Sequence, residues 1–277
     1  MPDDAVVEHA PAKLNLALHV VGRRADGYHL LDSLVAFASV GDLVALRPGP
    51  LSLRIDGPFA EGLDDGPDNL CLRAARLAGA DVSIALTKNL PVASGIGGGS
   101  ADAAAVLRGL ARMGHPLPDA PERLGADVPV CMGSVPARMQ GVGETVTPLP
   151  ALPRVPLVLV NPGVAVATPR VFAALGCRDN APMPAIPAFR DGTGLIRFLA
   201  GTRNDLQAPA QDIAPAIGQA VAALRATGAG FARMSGSGAT CFGLYDSHVQ
   251  AARAARRLAR HGWWAVASEL APPGARG

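Results

Sequence analysis

Pro91-Val92-Ala93-Ser94-Gly95-Ile96-Gly97-Gly98-Gly99-Ser100, running straight into Ala101-Asp102-Ala103-Ala104-Ala105-Val106-Leu107, decides the reading of this chain. Four of five positions from Gly95 to Gly99 are glycine. Backbone without Cβ atoms accepts positive φ and lets a ligand approach the N–H groups. The alanine-rich run after Ser100 favours helix. The segment therefore presents N–H donors at a helix N-terminus, where phosphate is held well. Glycine clusters between elements also serve as plain turns. Two better-known phosphate loops are excluded by spelling. No Gly-x-x-x-x-Gly-Lys-Ser/Thr occurs, so this is not a P-loop. The run also lacks the third glycine of a dinucleotide fingerprint, and no acidic residue closes a following strand.

Working outward, apolar alternation or continuous apolar runs predict strands at residues 14–21, 43–47, 51–55 and 82–87. Helices are predicted at 70–79, with Asp68-Asn69 at the cap, and at 100–113. A second helix–loop unit runs through 121–130, and short strands at 137–140 and 144–148 flank a Gly141-Val142-Gly143 turn. Pro148, Pro150, Pro153 and Pro156 then interrupt any regular element, which predicts a boundary and two domains, 1–153 and 154–277. Beyond it come a strand at 157–161, a helix near 169–175, a loose proline-rich stretch at 179–190, and helices at 213–227 and 248–261. Strands are predicted at 240–245 and 263–268. No internal repeat is visible.

The bulk numbers exclude several classes. With 277 residues, 49% hydrophobic and 17% charged, the chain has material for a sizeable core and is not disordered. Net charge is +2, and the arginines 253, 256, 257 and 260 fall at helical spacing, as on a solvated helix face. Aromatics are 4% and are not interleaved with basic residues, so no nucleic-acid partner is expected. Cys71, Cys131, Cys177 and Cys241 are scattered and read as buried thiols rather than zinc ligands. The acidic opening Met1-Pro2-Asp3-Asp4 lacks a signal-peptide pattern. The longest apolar run, 155–168, is broken by Asn161, Pro162 and Gly163, too soon to span a bilayer. A soluble cytoplasmic protein is expected.

Four further segments stand out. Lys13 opens the apolar stretch Ala10-Pro11-Ala12-Lys13-Leu14-Asn15-Leu16, where a lysine can also snorkel to solvent. Arg24-Ala25-Asp26-Gly27-Tyr28-His29 sets an aromatic and a histidine after a turn, either as packing or as a binding pair. Arg233-Met234-Ser235-Gly236-Ser237-Gly238-Ala239-Thr240 is a second glycine–serine loop, readable as a simple hairpin turn. In Gly125-Ala126-Asp127-Val128-Pro129 a lone carboxylate sits among apolar neighbours, which is costly if buried unpaired. It either caps the next element or pairs with a distant cation, for which Lys13 is chemically suited.

In this order the five segments resemble the motif set of the GHMP small-molecule kinases, and the resemblance runs from Pro11 to about Tyr245. It implies an α+β, two-domain GHMP kinase fold: an N-terminal ribosomal-protein-S5-domain-2-like α/β domain, a C-terminal ferredoxin-like domain and an active site in the cleft between them. It implies ATP and Mg²⁺ as cofactors. The phosphates would be held at Pro91, Ser94, Gly95, Ile96, Gly97, Gly98, Gly99 and Ser100, and adenine near Asn69 and Lys88. Asp127 would be the general base and Lys13 its partner, since a nearby ammonium favours the ionised carboxylate. Ala-Lys-Leu-Asn-Leu, Arg-Ala-Asp-Gly-Tyr-His and Gly-Ala-Asp-Val-Pro together point to a branch whose acceptor is a cytidine diphosphate-linked methylerythritol, phosphorylated on its 2-hydroxyl in non-mevalonate isoprenoid synthesis. For that small-molecule substrate the resemblance implies contacts from Asn15, Tyr28, His29, Thr168, Pro169, Phe172, Gly236 and Gly238. A homoserine-type acceptor fits the Tyr28-His29 pair less well, and an idle nucleotide-binding relative has no need of both Lys13 and Asp127. Ser94, Ile96 and Ala101 depart from the residues common in this loop, leaving Ser100 as the hydroxyl for the metal. No membrane partner is implied, and the chain is expected to be a monomer or weak homodimer.

Overall fold

The computed structural model describes residues 5–270; the acidic opening at residues 1–4 lies outside them. Two sheets organise the chain. The first contains β1 (Val6–Arg23), β2 (His29–Pro48), β3 (Ser52–Asp56), β4 (Val82–Thr87), β5 (Ala137–Gly141) and β6 (Thr145–Pro148), in the order β3-β4-β2-β5-β6 with β1 also on β2. β1 and β2 pair antiparallel almost end to end. β4 pairs with residues 43–48 of β2 and β5 with residues 31–35, so the two share β2's other edge one after the other. The second sheet holds β7 (Pro156–Asn161), β8 (Phe231–Met234), β9 (Cys241–Leu244) and β10 (Trp264–Glu269), ordered β10-β7-β9-β8 and antiparallel throughout.

β1 and β2 extend well beyond the predicted strands because Lys13, Asn15, Ser33 and Asp42 break the apolar pattern while remaining buried. Among the described residues eight α-helices accompany the sheets: α1 (Leu70–Leu77), α2 (Gly98–Arg112), α3 (Val128–Gly133), α4 (Thr168–Ala173), α5 (Gly192–Ala200), α6 (Gln207–Ile213), α7 (Ala216–Ala226) and α8 (His248–Ala259). The helix predicted at 213–227 is α7, which starts at Ala216 behind its N-cap Pro215. α5, α6 and β8 escaped prediction. Two glycines disguise the start of α5, where the Asp191 carboxylate caps by accepting from Gly194 N at 2.8 Å. β8 is four residues long, too short to show a period. Cys177 is exposed rather than buried, because it lies in irregular chain past α4.

The core follows strand alternation. On β7 and β9, Val158, Val160 and Cys241 face α7 and α8, while Leu157, Leu159, Phe242 and Leu244 face the first sheet. On β2, Val35 and Phe37 face α1 and α2, while Leu34, Ala36 and Ala38 face the second sheet. A shared apolar layer thus joins the two sheets. Each fully buried Leu, Val or Phe contributes about 1.5–3 kcal/mol by leaving water. Within this frame β1 carries two buried polar side chains, Lys13 and Asn15.

Candidate active site

The β1–β2 register breaks between Pro11 and Lys13. Pro11 has no N–H, and the break turns the Lys13 N–H to the glycine loop, where it donates to Ile96 O at 2.9 Å. The same residue sends its ammonium to Asp127, 114 positions away, with Nζ donating to Oδ2 at 2.8 Å. Asp127 stands at the N-terminus of α3, yet its carboxylate caps nothing there. Of the two fates open to it, the structure shows pairing. The Lys13 side chain is 5% exposed and that of Asp127 30%, so a buried ammonium holds a carboxylate that ligands can reach.

Gly95 and Gly97 have φ of 74° and 63°, which L side chains rarely adopt. Gly97 is the N-cap of α2 and provides no side-chain cap, so the first-turn N–H groups face outward without one. The loop packs against its glycine–serine counterpart. A Cβ on Gly95 would stand 2.6 Å from Gly238 O and 2.7 Å from Ser235 O. Ser235 Oγ donates to Gly95 O at 3.0 Å, and Thr240 N donates to Ser94 O at 3.0 Å. A Cβ on Gly97 would lie 3.2 Å from Lys13 Cβ. Segments distant in sequence therefore converge: Lys13, Asp127, the glycine loop and the second loop.

Beside the loop lies a cavity of about 150 Å³, lined among others by Asn69, Leu70, Lys88, Pro91, Gly98 and Gly99. Asn69 caps α1, accepting from Cys71 N at 2.9 Å. Lys88 lines the cavity, but its ammonium is turned inward to Asp42 Oδ2 (2.5 Å) and Asp102 Oδ2 (2.6 Å). Burial opposes the charge on Lys88, and Asp102 and Asp42 outweigh it, raising its pKa. Burial pushes the Asp102 carboxyl up to about 7, with Lys88 pulling down and Asp42 adding to the rise. Sequence reasoning passed over Asp42 and Asp102. Their signal was the one that marked Asp127, a single acid in an apolar run.

The residues expected to meet the acceptor are distributed unevenly. Tyr28 is 66% exposed, its ring open to a ligand. His29 stacks on Phe172 with centroids 4.8 Å apart and planes at 24°. Its Nε2 is buried without a hydrogen-bond partner, and burial, helped by Arg23 and Arg178, lowers its pKa, favouring the neutral ring. Thr168 and Ser237 share a hydroxyl contact at 2.8 Å, tying α4 to the second loop, while Pro169 is exposed in the first turn of α4. Asn15 is 1% exposed; its Nδ2 donates to Ser33 Oγ at 2.8 Å, and a Cβ on Gly236 would stand 3.2 Å from its Oδ1. Side-chain contacts of Ser94 and Ile96 run inward: the Ser94 hydroxyl donates to Pro91 O at 2.6 Å, and Ile96 is in the core. What Ile96 offers a ligand is backbone alone.

A glycine loop at a helix N-terminus facing a lysine–aspartate pair, in an α+β frame of two sheets, is the arrangement expected of a small-molecule kinase. Residues 69–136 match the model of the GHMP kinases N terminal domain, and residues 185–262 that of GHMP kinases C terminal. The chain belongs to the GHMP kinases. It is 62% identical to the 4-diphosphocytidyl-2-C-methyl-D-erythritol kinase of Paracoccus denitrificans (strain Pd 1222), over 96% of this chain and 97% of that one. With its counterpart of the same name in Ruegeria pomeroyi (strain ATCC 700808 / DSM 15171 / DSS-3) it shares 56%, over 94% and 97%. A crystal structure of 4-(cytidine 5'-diphospho)-2C-methyl-D-erythritol kinase superposes with a TM-score of 0.76 at 36% identity, covering 96% of this chain and 99% of that one. The homoserine kinase of Cytophaga hutchinsonii ATCC 33406 shares the fold at 17% identity and a TM-score of 0.67, over 99% and 96%. The protein is thus a kinase acting on a small molecule, with ATP as the donor its family implies. Among the described residues no helix is long and apolar enough to cross a membrane.

Proposed function

We propose that this protein transfers the γ-phosphoryl group of ATP to the 2-hydroxyl of 4-diphosphocytidyl-2-C-methyl-D-erythritol, in the cytoplasm, as a step of non-mevalonate isoprenoid synthesis. The observation that carries the mechanism is the 2.8 Å contact of Lys13 Nζ with Asp127 Oδ2 beside the glycine loop. The acceptor rests on the high identity to kinases named for that compound.

Phosphoryl transfer asks chiefly for positioning and for stabilisation of charge. The N–H groups of residues 95–100 cradle the phosphates, and the α2 N-terminus adds roughly half a positive charge. Asp127 takes the proton of the acceptor hydroxyl, and Lys13 keeps that carboxylate ionised and aimed. Tyr28 stacks on the cytosine, and the neutral His29, held against Phe172, hydrogen-bonds the base edge. Asn15, Thr168, Pro169, Phe172, Gly236 and Gly238 shape the acceptor's seat, and Asn69 lies on the adenine side.

Among the described residues, no three His, Cys, Asp or Glu side chains gather as a metal cage. Mg²⁺ keeps waters and takes few protein ligands, so it would be carried on the nucleotide phosphates. The Ser100 hydroxyl, in the first turn of α2, would hold it there, and the ion would supply neutralisation of phosphate charge. We further propose a division into units 1–153 and 154–277, expressed separately as a test: neither half alone should turn over substrate.

A coupled assay of ADP release tests the acceptor. Turnover with 4-diphosphocytidyl-2-C-methyl-D-erythritol should greatly exceed that with homoserine or mevalonate. Equal or greater turnover with either rival overturns the assignment.

A further inference from the structure

The ATP-side reading leaves one buried cluster unexplained. Lys88, just past β4, is clamped between Asp42 on β2 and Asp102 on α2, and all three are almost fully buried. Ion groups this deep are costly unless well paired. The pairing links three elements around the glycine loop. Asp42 Oδ1 accepts from Asn89 N at 2.6 Å and Leu90 N at 2.8 Å, fixing the chain just before Pro91. Asp42 Oδ2 and Asp102 Oδ2 both accept from Lys88, fixing α2 in its opening turns. A Cβ on Gly98 would stand only 3.1 Å from Lys88 Nζ, so the ammonium sits directly beneath the loop's last glycines. Entry and exit of residues 91–98 are therefore tied to one β2 carboxylate.

We propose that Asp42 and Asp102, acting through the Lys88 ammonium between them, are positioning residues that set the shape of the ATP-phosphate loop. The inference rests on reading residues 95–100 as the phosphate cradle. It assigns the Lys88 ammonium to holding the loop rather than to binding nucleotide. Bare glycine backbone cannot define its own conformation, and a cradle displaced by about 1 Å can cost on the order of 100-fold.

Steady-state kinetics of the full chain, with melting temperature alongside, test this. Asp42→Asn sets an amide N–H₂ against the ammonium and should raise KM for ATP about tenfold, with kcat within about twofold and the acceptor KM unchanged. Asp102→Ala should act in the same direction. Asp102→Asn, which keeps an oxygen for Lys88 to donate to, should restore KM to within about twofold of the native value. A purely structural cluster would instead lower the melting temperature and leave KM for ATP alone, and that result overturns the proposal. Gly99→Val separates the two readings by placing a side chain at the edge of the cradle, towards Leu70 in the adjoining cavity. If it leaves KM for ATP unchanged, the cradle reading fails and this inference falls with it. If it raises KM while Asp42→Asn does not, only the positioning role is lost. If Asp102→Ala does not fold, Asp42→Asn decides alone.

Discussion

Two lysine–carboxylate contacts flank the same glycine loop and differ in one physical respect. Lys88 is sealed between Asp42 and Asp102, with side-chain exposures of 4% or less throughout. Lys13 meets one carboxylate, and that carboxylate is 30% exposed. A sealed cluster holds chain segments in place; an open one leaves an oxygen for a substrate proton. On the roles proposed above, the difference separates a base from a brace more sharply than residue type does, since both sites are built from Lys and Asp.

Removing the open carboxylate should have the largest effect. Asp127→Ala is expected to lower kcat by about 10²–10⁴-fold while calorimetry finds ATP binding largely intact; normal kcat would take the base role away from Asp127. Lys13→Met comes next, with a kcat loss on the order of 10²-fold from the missing charge at the reacting oxygens, read in the same assay. Should Lys13→Met behave like Asp42→Asn, raising KM for ATP alone, the distinction between the two contacts fails.

On the acceptor side, Tyr28→Ala should raise the acceptor KM about 10–100-fold, with KM for ATP as the internal control. An unchanged acceptor KM would mean that the cytosine lies elsewhere.

The smallest effect concerns pH and stability. His9, His19 and His29 all have pKa values below the ordinary 6.5, burial being the first cause in each. At His19 the reason is visible: Nε2 accepts from Arg203 N at 3.1 Å and must stay unprotonated to do so. At these three sites the folded state therefore binds fewer protons than the unfolded chain, and their share of the stability is complete above about 6.5 and declines as pH falls below it, whereas Asp102, pushed up to about 7, acts in the opposite direction. Melting temperature should drop by on the order of 2–4 °C per kcal/mol lost, and His19→Gln should flatten the decline. A His19→Gln profile from pH 7.5 to 5.5 that falls as steeply as the native one would contradict the sign.

Much of this was legible before any coordinates. β4 and β7 lie almost where the apolar runs put them, and α2 begins at the glycines because alanines follow. The Lys13–Asp127 contact was readable as a chemical need, an acid without neighbours and a lysine in an apolar strand. What alternation concealed was the length of β1 and β2, whose buried polar residues look like interruptions. Asp42 and Asp102 were hidden because a carboxylate in an apolar run does not name its partner, and Lys88 was placed near adenine by the family resemblance. The His29–Phe172 stack joins residues 143 positions apart, a contact no local pattern encodes.

The most direct test is a crystal structure with a non-hydrolysable ATP analogue and the cytidine diphosphate acceptor together. The acceptor's 2-hydroxyl should lie about 2.6–3.2 Å from the Asp127 carboxylate, with the γ-phosphate over residues 95–100. Phosphates bound away from that loop, or a hydroxyl facing some other group, would contradict the account.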